Sequence, residues 1–328
     1  MMRFLLRRTI HAGILVFITL TATFFIVRLA PGDPLTRYYS PDIDPQVMGV
    51  VRHQLGLDDP LPLQYVKTMA SFVRGDFGVS LSAHRPVSAV LRDAIPRTIQ
   101  LTGLALLLQI LLGLGLGMLS AIKRYGFLDK AFTLLFLLFY SIPSFYLAFI
   151  LIAVFSLKLQ WLPSASMSSL DLQPANVLEV VADRLLHLIL PVGVLALGSA
   201  AALARYARGS LLDVVNQEFV RTARAKGLGQ FPVMWKHVFK NALPQILTVV
   251  GLSIPFLLGG AVVIEKIFAW PGMGALLVDS IFARDYPVVL AANFIGACMV
   301  ILGNLLSDLS YMWVDPRIKP ARLRSGGD

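Results

Sequence analysis

The chain has 328 residues and a formal net charge of +10, yet only 15% of its residues are charged and 56% are hydrophobic. A mean hydropathy of +0.72 excludes an ordinary soluble domain, because so much apolar surface cannot be buried in a core of this size and most of it must face lipid. The positive charge is not a nucleic-acid footprint: no basic patch with interleaved aromatics occurs, and Lys and Arg collect at the ends of apolar stretches.

A helix needs about 20 mainly apolar residues to cross the hydrocarbon. Six windows free of Asp, Glu, Lys and Arg meet that length: Thr9–Val27, Thr98–Ile122, Ala131–Leu157, Leu185–Ala204, Asn241–Ile264 and Tyr286–Ser307. Their apolarity is continuous and not alternating, which predicts helices and no barrel. The first window follows Arg3, Arg7 and Arg8, but it is longer than a signal core and lacks a convincing Ala-x-Ala site, so it reads as a retained span. The second contains Gly113, Gly115 and Gly117, which are read as close helix packing because no strand precedes them. The third is long enough to tilt. The fourth carries His187 and Pro191, and the sixth carries Cys298, the only cysteine, read as a small packing residue.

Orientation follows from the basic residues. Arg3, Arg7 and Arg8, then Lys123, Arg124 and Lys130, then Arg205, Arg208, Arg221, Arg224, Lys226, Lys236 and Lys240, then Arg317, Lys319, Arg322 and Arg324 all fall on one side of a six-span topology. That side, with both termini, is expected to be cytoplasmic, and 30–97, 158–184 and 265–285 external. Residues 30–97 read as a small folded cap. One helix opens at Asp44-Pro45 and stops near Gly56; a second runs from about Leu63 to Arg74 and stops at Gly75.

Several chemistries are absent. No Gly-x-x-x-x-Gly-Lys-[Ser/Thr] run exists to cradle nucleotide phosphates. The five histidines show no i, i+4 pair and no acidic partner at ligand spacing, so no metal site is expected, and His11 and His187 read as interfacial. The six windows hold no acid, which argues against a stand-alone ion-coupled secondary transporter, the alternative from a different class. Glu265 and Asp308 lie at span ends, where solvation accounts for them.

Two segments remain. Glu218–Gly227 is a short run of helix formers, too polar to span and stopped by Gly227. Phe219, Thr222, Ala223 and Lys226 are expected along one side, and Arg221, Arg224 and Ala225 on another. Such a helix either seats in a partner's groove or lies on anionic lipid. The second segment, Pro271-Gly272-Met273-Gly274, is expected to turn the chain at the end of the fifth span, near a solute path or as an ordinary exposed loop.

The run Phe219-Val220-Arg221-Thr222-Ala223-Arg224-Ala225-Lys226-Gly227, followed by Lys236-His237 and Asn241-Ala242-Leu243-Pro244, resembles the EAA signature of bacterial ABC importer permeases. Leu29-Ala30-Pro31-Gly32-Asp33-Pro34, Gly75-Asp76-Phe77-Gly78, the stretch from Glu265 to Gly274 and Arg284-Asp285-Tyr286-Pro287 narrow the resemblance to the "B"-type subunit of the peptide/nickel branch, over about residues 1–320. Arg221 and Thr222 stand where the broad consensus has Glu and Ala, and the gap from Gly227 to Pro244 is longer, as in the peptide branch.

The resemblance implies an all-α integral membrane protein of the cytoplasmic (inner) membrane. Residues 1–29 would form an N-terminal span, 30–97 an external cap, 98–320 a five-helix permease core with a cytoplasmic coupling loop at 205–240, and 321–328 a tail. It implies partnership with a second homologous permease, two cytoplasmic ATPase subunits and an external substrate-binding protein, within membrane lipid and without nucleic acid. The chain itself would be no enzyme and bind no cofactor, ATP and Mg being held by the ATPases. Glu218, Phe219, Arg221, Thr222, Ala223, Arg224, Ala225, Lys226 and Gly227 would couple to the ATPases, and Glu265, Trp270, Pro271, Gly272, Met273 and Gly274 would sit at the external mouth. The cargo is expected to be a short peptide, the alternatives being nickel, a metal chelate or a glutathione-like solute, because the spans offer few imidazole or carboxylate groups.

Overall fold

In a computed structural model, the described residues are 2–29, 49, 52–53, 57–169 and 176–314. The expected Asp44-Pro45 helix, the Ala30–Pro34 stretch and the basic tail from Arg317 lie outside them. The helices are α1 Met2–Leu29, α2 Leu61–Val73, α3 Val87–Ile122, α4 Phe127–Ser141, α5 Ser144–Leu151, α6 Val177–Val215, α7 Glu218–Ala225, α8 Lys240–Ile267, α9 Met273–Ala283 and α10 Tyr286–Val314. Wide, π-type turns extend α5 over Ile152–Lys158 and precede α8 over Val233–Phe239. Extended pairing among the described residues is one isolated antiparallel bridge, Val79 to Pro86.

Among the described residues, four helical stretches are long and apolar enough to cross a membrane: Arg8–Leu29, Val87–Ile122, Val177–Val215 and Tyr286–Leu305. The pair Phe127–Ser141 and Ser144–Lys158 is as long and apolar when taken together, but is bent at its break as a broken span or a re-entrant loop would be. The 28-residue α8 covers the window Asn241–Ile264.

The chain divides into two compact units, Met1–Arg97 with Gly272–Cys298, and Thr98–Pro271 with Met299–Asp328. In the first, α2 follows Pro60 and has Pro62 in its opening turn, where a missing N–H costs nothing. Gln64 donates to the carbonyls of Leu57 and Asp59, at 3.2 and 2.8 Å. The helix ends at Arg74 and is followed by Gly75 at φ 75°, so the stop read from the sequence is found. Phe72 then packs with Leu20 and Phe24 of α1, Val87 and Leu91 of α3 and Leu290 to Ala292 of α10.

In the second unit, α3 and α6 approach closely through glycine. A Cβ on Gly113 would lie 2.8 Å from the Leu203 side chain, and one on Gly117 2.8 Å from the Ala204 carbonyl. The small-residue reading holds at these two positions, while Gly115 faces open space. The window Ala131–Leu157 is no single rod. Pro143 forces Ile142 into extended backbone and removes a helical donor, and the axis turns by 104° between α4 and α5. Sequence hydropathy is blind to this, since both halves are strongly apolar.

The fourth window also changes character. Asn176 caps α6 by accepting the Glu179 N–H at 3.0 Å, and the helix continues to Val215. The opening of the 205–240 segment is thus the end of this helix. His187 corrects the interfacial reading: it is buried, and its Nδ1 lies 2.8 Å from the Asp183 carbonyl and 3.5 Å from the Asp183 carboxylate. An acidic partner at i−4 was present in the sequence after all. Asp129, buried at the start of α4, accepts two 2.7 Å hydrogen bonds from Arg208 of α6 and further ones from Ser120 and the Tyr125 N–H.

Candidate functional site

The short helix α7 forms where the sequence placed it. Gln217 leads in through extended backbone, and Glu218 puts negative charge in the first turn, against the positive end of the helix dipole. Glu218 also pairs with Arg221 at 2.9 Å, but both side chains are largely exposed and the pair contributes little. The helix stops at Gly227, whose φ of 80° lies in the left-handed region and whose N–H donates to the Arg224 carbonyl at 2.9 Å.

Its faces differ from the expected ones. Val220 and Ala223, three residues apart, are both buried. They join Leu203, Ala207, Leu211 and Val215 of α6, Val233, Met234 and Val238 of the wide turn, and Ala242 and Ile246 of α8. Ala223 therefore does not share an outward side with Phe219, Thr222 and Lys226. The reason is that Val220 and Ala223 supply the helix's apolar pair at i, i+3, and the chain's own core takes it out of water. Phe219, Arg221, Thr222, Arg224, Ala225, Lys226 and Gly227 are exposed together with Glu218.

The outward surface is larger than the motif. Phe219 is 42% exposed, Phe231 71% and Trp235 52%, and Leu228 is exposed too. Trp235 stacks on Phe239 with ring centroids 4.9 Å apart and planes 5° from parallel. The signal for these residues was legible but unused: Phe231, Trp235 and Phe239 recur every fourth position after the glycine stop. A cavity of about 400 Å³ adjoins α7, lined by Arg124, Arg224 and Gln230 together with apolar side chains.

The second segment is built on buried groups. Glu265 is fully buried, which corrects its reading as a solvated span-end residue. Its side chain accepts a 2.6 Å hydrogen bond from the Thr98 hydroxyl, and its carbonyl accepts the Trp270 N–H at 2.8 Å. Ala269 takes a φ of 47° to make that return. Trp270 is fully buried in a core with Leu101, Ile264 and Phe268, and the Phe268 carbonyl accepts the Ser166 N–H at 2.8 Å. Pro271 and Gly272 then carry extended chain into α9, where Met273 is half-buried and Gly274 buried.

Among the described residues no three His, Cys, Asp or Glu side chains come together as a metal site would need. What it offers is an exposed helix rigidly backed by the bundle.

Comparison with known proteins gives this helix its context. Residues 113–320 match the family described as binding-protein-dependent transport system inner membrane component, and residues 1–102 match its N-terminal membrane component. The oligopeptide transport system permease protein AppB of Bacillus subtilis is 41% identical over 321 residues, covering 97% of this chain and 100% of that protein. A putative peptide permease protein of Brucella suis is 42% identical over 324 residues, covering 97% and 99%. The glutathione transport system permease protein GsiC of Escherichia coli is 37% identical over 319 residues, again covering 97% and 99%. Among solved structures, an inward-facing MetNI methionine ABC transporter shares the fold at a TM-score of 0.54 and 17% identity, over 70% of this chain and 97% of that one. Match and relatives extend over nearly the whole sequence: the chain belongs to the family of binding-protein-dependent transport system inner membrane components.

Proposed function

We propose that this chain is the permease subunit of an ATP-binding-cassette importer and forms half of the path by which short peptides cross the cytoplasmic membrane. The observation that carries this reading is full-length likeness, at 41 and 42% identity, to relatives named oligopeptide and peptide permeases. Relatives named glutathione permeases fit the same cargo class, since glutathione is itself a tripeptide.

On this reading the chain spans six times, with α8 as the fifth span and the bent α4–α5 pair as the third, and both termini are cytoplasmic. The exposed face of α7, carrying Phe219, Arg221, Thr222, Arg224, Ala225 and Lys226, seats in a cleft of an ATPase subunit that holds ATP and Mg. Its buried face passes the ATPase motion to α6 and α8. A second, homologous permease completes the channel. The Glu265–Gly274 turn lies at the external mouth, where a substrate-binding protein delivers cargo. The buried Trp270 supports a fixed turn there over a loose loop.

The test is reconstitution in proteoliposomes. Uptake of a labelled tripeptide should need ATP, the binding protein, both permeases and the ATPases together. Ion-driven uptake by the single chain would overturn the proposal in favour of a secondary transporter. Placement of Arg224 outside by cysteine labelling would overturn the docking role.

A further inference from the structure

The permease reading leaves open where cargo touches this chain inside the bilayer, and the break between α4 and α5 bears on that. Phe139 sits one turn before Pro143. Proline has no N–H, so the Phe139 carbonyl loses the donor that an unbroken helix would supply. That carbonyl points at Gly198 of α6, where a Cβ would lie 3.6 Å from the oxygen.

The break opens onto a cavity of about 460 Å³, within the range of roughly 300–1,000 Å³ that holds small ligands. Phe139, Tyr140, Ser144, Gly198, Ser199 and Ser253 contribute to its wall, and the rest is apolar. No acidic or basic side chain lines it among the described residues. Gly198 and Ser199 lie near the middle of α6, and Ser253 at the middle of α8. The cavity is therefore at mid-length of two helices that cross the membrane on the proposed reading. Buried Gln109 of α3 reaches the same level and donates to the Ser253 hydroxyl at 2.8 Å, while that hydroxyl donates to the Val249 carbonyl at 2.9 Å, so toward the cavity Ser253 is an acceptor.

Irregular backbone at membrane depth persists only where protein buries it or where it lines a cavity. In broken membrane helices, unwound carbonyls near the midplane coordinate coupling cations, and a peptide N–H is a donor that the same kind of oxygen can accept from. Three hydroxyls, a phenol and a donor-less carbonyl match the amide N–H and C=O groups common to all peptides. With no charged side chain in the wall itself, and the nearby Arg205 guanidinium stacked on the Tyr140 ring at 4.8 Å, side-chain identity is left largely unread and binding weak enough for release.

Resting on the permease reading, we propose that this pocket is a waypoint for the backbone of the transported peptide, with the Phe139 carbonyl and the hydroxyls of Ser144, Ser199 and Ser253 as its polar contacts. A lipid acyl chain or a helix of the second permease is the competing occupant.

The experiment uses the full assembly in proteoliposomes, with Cys298→Ser and Ser199→Cys in this chain, and N-ethylmaleimide as the probe. Trialanine supplied with binding protein and ATP should slow labelling of the new thiol several-fold. Equal labelling with and without trialanine, while trialanine uptake continues, would overturn the waypoint and leave the permease reading intact. A thiol closed to the reagent in every state would overturn it in favour of lipid or the partner permease. Absence of uptake by the unaltered assembly would instead overturn the permease reading, and this inference with it. As a second variant, Gly198→Val should cover the Phe139 carbonyl and lower uptake several-fold while binding-protein-stimulated ATP hydrolysis persists. Unchanged uptake in that variant would likewise refute the waypoint.

Discussion

The Ser80 hydroxyl donates a 2.6 Å hydrogen bond to the Asp285 carboxylate, 205 residues further along the chain. Ser82 adds its hydroxyl at 2.7 Å and its N–H at 3.0 Å to the same oxygen. Two stretches of the sequence that looked unrelated, Gly75–Gly78 with the hairpin after it and Arg284–Pro287, are thereby fastened together within one compact unit.

Asp285→Ala should cost this unit about 1–3 kcal/mol, because it removes the carboxylate that accepts from buried Ser80 and from Ser82 and leaves the two hydroxyls, as donors, only a long 3.4 Å contact with each other. Limited proteolysis should then cut between Gly75 and Arg85 faster than in the parent chain. Unaltered proteolysis would show the clasp to be incidental.

Ala223→Glu should destabilise the chain itself. A carboxylate in the cluster of Val220, Leu211, Met234 and Ile246 has no partner, and burying it costs several kcal/mol. Arg224→Ala should leave thermal unfolding in detergent unchanged, because that side chain faces outward, yet reduce peptide uptake by the full assembly under the proposed docking role. The two variants thus separate scaffold from docking surface, and equal melting temperatures would contradict the burial of Ala223.

Removing one member of the Asp129–Arg208 pair should cost about 2–3 kcal/mol, less than for fully buried pairs because 25% of the Arg208 side chain is exposed. Arg208→Met leaves the buried carboxylate without its counter-charge, with only Ser120 and the Tyr125 N–H still donating to it; adding Asp129→Leu should restore part of the loss. Denaturation of the single and double variants provides the check, and additive losses would refute coupling.

Gly113→Leu should disrupt the α3–α6 crossing by overpacking against Leu203, at about 1–3 kcal/mol. Gly115→Leu, directed into open space, should be near neutral. Equal effects of the two on melting temperature would refute the close-packing account.

The residues that spoke clearly from the sequence were those with local rules behind them. Gly75 and Gly227 stop helices because left-handed backbone is free for glycine, and Gly113 and Gly117 sit where helices touch. Charge-free windows located the apolar helices. What stayed hidden depends on neighbours far along the chain. Window counting sees Glu265 as the end of an apolar run, whereas Thr98 and a tryptophan turn enclose it. The inward face of α7 is chosen by α6 and α8, which a ten-residue motif does not contain. The bend at Pro143 changes no residue's polarity, so hydropathy passed over it; the proline itself was the available clue.

The packing of α7 also has a mechanical side. Val220 and Ala223 pack in one buried cluster with the wide turn and with Ala242 and Ile246 of α8, so the short helix and the long one are in continuous contact. At 1.5 Å per residue, the 28 residues of α8 make an arm of about 42 Å. Tilting such an arm by about five degrees about its base sweeps the tip through roughly 4 Å, close to one side chain's breadth. The tip is the Ile264–Ile267 turn, with buried Glu265 in it. Under the proposed docking role, a small stroke at one end would be geared up to a displacement large enough to break or remake a hydrogen bond at the other.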